Sequence, residues 1–96
     1  MSVDFVMEQV KDLLNLSETD MYDRQLTLVV SSAMNKLETE GVKNIYEDEV
    51  VGDSADYIMC VSYQAGIDMG MSTDLNNFYT QYVTRVNTLR AKQSGN

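Results

Sequence analysis

Five carboxylates fall within ten residues, at Glu47, Asp48, Glu49, Asp53 and Asp56. Acids gathered this closely invite a calcium reading. A calcium loop, however, wants oxygen ligands alternating around a turning glycine, with a distal Glu. The spacing does not match an EF-hand, and a solvated acidic loop is the better account. The second chemical candidate is Cys60, the only cysteine. It cannot form an internal disulfide and lies in the most apolar stretch, which predicts a small core residue in a reducing compartment. The chain has no histidine, which removes His-based triads, the usual general base and the common zinc sites. Gly66 and Gly70 are isolated and fail the P-loop and dinucleotide spacings. Asn15-Leu16-Ser17 matches a glycosylation sequon, but nothing else points to secretion. Six tyrosines raise the question of base stacking. Tyr22, Tyr79 and Tyr82 sit at core-stripe positions, Tyr57 and Tyr63 lie in the apolar segment, and no basic residues interleave. Packing is the expected role. Met7, Met34, Met59, Met69 and Met71 could make an adaptable surface, but mixed core filler is the more common outcome. No catalytic, cofactor-binding or metal-ligating residue is predicted, and no enzyme is expected.

Composition sets the class. Ninety-six residues at 44% hydrophobic and 23% charged make one folded domain with a modest core. The formal charge of −8 opposes binding to a nucleic-acid backbone, because phosphate contacts need Lys and Arg to displace counterions. The basic residues are scattered along the chain, so no cluster overrides that balance, and a membrane surface is disfavoured for the same reason. The opening MSVDFVMEQVKDLLN carries acids where a secretory signal needs a basic start and an unbroken apolar run. No stretch reaches transmembrane length.

The element that organises the rest is SADYIMCVSYQAGIDM, residues 54–69. Its apolar groups point in nearly every direction, and Asp56, Ser62, Gln64 and Asp68 are too few for a solvated face. A helix of this kind needs protein on several sides. Ser54 is its expected cap, with Asp56 in the first turn, and Gly70 its expected end. Residues 3–15 form a first helix with the stripe Val3, Val6, Met7, Val10, Leu13 and Leu14. Ser17 and Asp20 resemble a capping box, so a second helix is expected over 18–40. Its stripe is Tyr22, Leu26, Val29, Val30, Ala33 and Leu37, and Gly41 closes it. The short link folds the two into a hairpin. Residues 42–53 fit no helical face and read as a short strand or ordered loop broken at Gly52-Asp53. Ser72 or Thr73 caps a last helix running to about residue 91, with the stripe Leu75, Phe78, Tyr79, Tyr82, Val86 and Leu89. The tail beyond is expected to be loose. The expectation is an all-α, four-helix compact domain with an irregular or short-strand connector between helices 2 and 3.

The residues so far describe a small acidic helical domain without naming its function. The order VKDLLNLSETD, then an irregular acidic connector, then ADYIMCVSYQ and finally QYVTRVNTLR resembles the head–tail connector (adaptor, or head-completion) proteins of tailed bacteriophages. The likeness covers about residues 3–90, through patterns rather than invariant motifs. Such proteins often carry prolines before the third helix, and this chain has none. The resemblance implies an all-α structural protein of the virion, made in the host cytoplasm. It implies a homo-oligomeric ring beneath the portal that extends the DNA channel and offers a platform for a tail or stopper protein. No cofactor is implied. An acidic wall suits that task, since it repels phosphate and lets DNA slide without specific binding. Ring assembly through unlike surfaces makes Ile45, Tyr46, Val50 and Val51 the expected subunit contacts. The rival reading is a small acidic binding protein, such as an inhibitor whose carboxylates imitate a DNA backbone.

Overall fold

The computed structural model describes residues 2–44, 51–71 and 74–93, with side chains in the third helix described from residue 55 onward. Four helices are present in the order α1 (Val3–Leu13), α2 (Asp23–Thr39), α3 (Val51–Asp68) and α4 (Leu75–Gln93). No strand occurs among the described residues. The all-α, four-helix expectation holds.

Capping chemistry sets where each helix stops. Asn15 (φ 61°), Gly41 (φ 88°) and Gly70 (φ 67°) each adopt a left-handed backbone just past a helix end. In all three, the next amide reaches back five residues: Leu16 N to Lys11 O at 2.8 Å, Val42 N to Leu37 O at 2.9 Å, and Met71 N to Gly66 O at 3.0 Å. This is the Schellman arrangement, which satisfies carbonyls that a helix end would otherwise leave orphaned. Leu16 and Val42, the residues after the turn, are buried, so two of the caps also add to the core.

Helix starts depart more from expectation. The capping box at Ser17 and Asp20 does not form. The chain turns through residues 17–22, where Thr19 Oγ1 accepts a hydrogen bond from Met21 N at 3.1 Å, and α2 begins only at Asp23. A hydroxyl that bonds its own loop competes with helix initiation. Ser54 is not a cap either, because α3 starts three residues earlier and runs through Gly52 and Asp53. One helical glycine costs about 1 kcal/mol, which the packing of a central helix easily outweighs. Residues 51–53 thus leave the predicted connector and join the helix. On α4 the cap is Asp74, whose Oδ1 accepts from Asn77 N at 3.0 Å; Ser72 and Thr73 lie outside the described residues. The helix also persists past residue 91, and Gln93 clamps the backbone of Lys43, donating to its carbonyl at 3.0 Å and accepting from its amide at 2.7 Å.

α3 is central, as its composition demands. It packs against α1, α2 and α4 alike. Tyr57, Cys60, Val61, Ser62, Gln64, Ala65 and Gly66 are all buried, which covers roughly 240° of its circumference at about 100° per residue. Its polar positions are each engaged. Ser62 Oγ donates to Ile58 O at 2.8 Å, Gln64 Oε1 accepts from Lys36 Nζ at 2.9 Å, and Gln64 Nε2 donates to Asp68 Oδ1 at 2.9 Å. α1 and α2 form the expected hairpin, tied by Lys11 Nζ to Asp23 Oδ1 at 2.9 Å. The radius of gyration of 12.7 Å is close to the ~12.5 Å of a globule this long.

Candidate interaction site

Residues with reactive side chains are spent on the fold. Cys60 is fully buried, and burial pushes its thiol up from an ordinary 9.0 to about 12. A thiol that stays protonated is a poor nucleophile. Burial likewise pushes the Tyr57 phenol up to about 12, with Glu38 adding to the effect. Tyr82 is raised first by burial and then by the hydrogen bond from its hydroxyl to Glu40 Oε2, 3.0 Å long. Lys36 stands 4.7 Å over the Tyr82 ring, a cation–π arrangement that suits the negative ring face. The bond to Asp23 holds the Lys11 ammonium above its ordinary value, against the opposing cost of burial.

Of the five clustered acids, Asp56 is the one whose side chain is described, and it does not belong to a solvated loop. It sits in α3 and takes Arg85 Nη1 at 2.7 Å and Lys92 Nζ at 3.8 Å. Its work is to lash α3 to α4. Arg85 Nε, on the same guanidinium, is buried without a hydrogen-bond partner. Glu47, Asp48 and Glu49 lie outside the described residues, as does the Asp53 side chain. Among the described residues no three Cys, Asp or Glu side chains converge as a metal would need. Also among them, no helix is long and apolar enough to cross a membrane.

A hollow of about 560 Å³ is an open cleft between α2 and the start of α3, lined by Ser31, Ser32, Met34, Asn35, Glu38, Asn44 and Tyr57. It brings together hydroxyls, amides and one carboxylate, with no paired acid and base. A smaller hollow of about 170 Å³ opens among Leu16, Tyr22, Gln25, Met69 and Met71. Its lining joins the α1–α2 loop to the end of α3, and large apolar side chains stand exposed around it.

That exposure corrects several stripe assignments. Leu75 and Tyr79 continue the α4 stripe of Tyr82, Val86 and Leu89, yet they are 52% and 59% exposed. The stripe outruns the core: Phe78 packs on Gly66 of α3, while Leu75 and Tyr79 on either side of it stay exposed. Leu13 and Tyr22, expected inside, are exposed as well. Met21, at 75% exposure, and Leu28, at 67%, are further apolar surface residues. Reading by periodicity passed over both. Leu28 falls about half a turn from the buried Leu26, Val30, Ala33 and Leu37, so its helical phase could have marked it; Met21 precedes the helix and carried no periodic signal. Of the predicted subunit contacts, Ile45, Tyr46 and Val50 lie outside the described residues, and Val51 is the first residue of α3 with its side chain likewise outside them. Comparison of the chain with protein-family models, with curated proteins and with solved structures finds no match in any of the three.

Proposed function

We propose that this chain is a structural subunit of a tailed-bacteriophage head–tail connector. It assembles as a ring in the virion beneath the portal, extends the DNA channel and carries the attachment surface for a tail or stopper protein. It works by docking, without catalysis and without a cofactor. The observation that carries the reading is a surplus of adhesive surface on a self-sufficient fold. The apolar α3 packs against three helices of its own chain, while seven large apolar side chains among the described residues remain exposed. Exposed apolar surface beyond what a core needs marks sites of association. A ring contact joins unlike surfaces of neighbouring subunits, and Leu28, exposed on the outer face of α2, stands apart from the exposed side chains of the α1–α2 loop. The acidic balance of −8 supports a channel that DNA traverses without sticking.

The test is assembly on a template. Purified chain mixed with a purified portal ring should co-sediment and add an annulus of density beneath the portal. Val50→Asp with Val51→Asp should keep the helical circular-dichroism signal and abolish the annulus; loss of the helical signal would instead make those valines core. Failure to bind portal, together with stoichiometric binding to a DNA-processing enzyme that DNA displaces, would establish the inhibitor reading in its place.

A further inference from the structure

Five of the seven large apolar side chains exposed among the described residues, Leu13, Met21, Tyr22, Met71 and Leu75, gather at one end of the bundle. Topology brings them there. Lys11 meets Asp23, so α1 ends where α2 begins. The hollow that joins Leu16 and Tyr22 to Met69 and Met71 sets the end of α3 beside them. Gly66 packs against both Leu14 and Phe78, which adds the first turns of α4. The patch is rich in methionine, whose unbranched thioether adapts to varied apolar partners.

Charge at this end is mainly negative. Asp12, Glu18, Asp20, Asp68 and Asp74 are exposed around the apolar side chains. The cations there are Arg24 and Lys11, and the Lys11 ammonium is held by Asp23. We infer that this end is a docking surface for a basic amphipathic helix of a partner protein, taken by its apolar face in the Met and Leu patch and by its Lys or Arg flanks on the carboxylate rim. An apolar groove with such a rim selects a helix that presents both features. A second copy meeting end to end sets like carboxylates against each other. A copy meeting head to tail offers Lys43, Arg90 and Lys92, yet among the described residues no large exposed apolar side chain accompanies them. The inference does not depend on ring assembly, and portal binding can fail while it stands.

The probe is a synthetic helix of about 18 residues, five turns, with leucine on one face and lysine on the other, beside a leucine and glutamate counterpart. Binding is followed by isothermal titration and amide chemical shifts at ~0.15 M salt, where screening removes purely long-range attraction. The leucine–lysine helix should bind and shift amides of residues 12–25, 66–71 and 74–78; the glutamate helix should not bind. Met21→Glu with Leu75→Glu, both at exposed positions, should weaken binding about tenfold or more with the circular-dichroism spectrum unchanged. Leu28→Glu, on the outer face of α2 and outside the patch, should leave it within about twofold. The proposal is overturned by equal binding of the two helices, by no binding, by shifts elsewhere or by binding indifferent to the end variants. Sedimentation showing a dimer that Met21→Glu with Leu75→Glu dissolves would overturn it in favour of a second copy.

Discussion

Asp56 illustrates how far a residue's role depends on what stands opposite it. Its side chain is about one-quarter exposed and that of its partner Arg85 one-third, between a surface pair worth under ~1 kcal/mol and a buried pair whose breakage costs about 3–5. Asp56→Asn should therefore cost about 1–2 kcal/mol in urea denaturation, and Asp56→Asn in an Arg85→Met background should cost clearly less. The buried proton donors make a second prediction at this scale. Cys60, Tyr57 and Tyr82 all hold their protons to higher pH in the folded chain than their ordinary values of 9.0, 10.0 and 10.0. Above pH 9 the unfolded chain therefore binds fewer protons than the native one, and stability falls as pH rises. The loss starts near 9 with Cys60 and steepens near 10 with the two tyrosines, at about 1.4 kcal/mol per pH unit for each group. Lys11 acts in the same direction: its contribution is complete below 10.5 and disappears as pH climbs through its raised value. Denaturation midpoints measured from pH 7 to 11 should be flat to about pH 9 and then decline, and Cys60→Ser should remove the first part of the decline. A chain equally stable at pH 7 and 11 would refute the assignment.

Between elements, α4 approaches α3 closely at Gly66. A Cβ added there would lie 2.7 Å from Phe78 Cε2, and the Phe78 ring is itself set edge-on to Tyr63 with centroids 5.3 Å apart. Glycine inside α3 is thus the condition for α4 to lie close, and the helix-propensity loss is the lesser cost. In the native background Gly66→Ala should destabilise or at best break even, because Phe78 must leave Tyr63. Once Phe78→Ala has opened the space, the same change should stabilise by up to about 1 kcal/mol, the intrinsic preference for alanine in a helix. The sign reversal in a double-mutant cycle is the observable; the same sign in both backgrounds would refute the packing argument. Periodicity could place Gly66 in a helix, but the ring above it belongs to a different segment. For the same reason the sequence pattern carried the α4 stripe to Leu75 and Tyr79: nothing in α4 says what stands opposite each of its residues.

At the scale of the whole molecule, a single helix shared by the other three makes the fold cooperative. Val61 is fully buried on α3, and Val61→Ala should lower stability by roughly 2 kcal/mol through lost burial and a residual cavity. Far-ultraviolet and tyrosine signals should shift together, as a two-state domain requires. Separate transitions would mean that α1 and α2 hold together without α3. The sequence by itself determined the number and order of the helices, the central place of α3 and the left-handed turns at Gly41 and Gly70. These follow from local propensity, from apolar spacing and from a backbone geometry that glycine adopts without strain. Only the tertiary structure decided which acids are paired, which apolar stripes outrun the core and which end of the bundle gathers its exposed methionines. Those properties depend on distances between segments far apart in the chain, and no periodicity within one helix encodes where its neighbour ends.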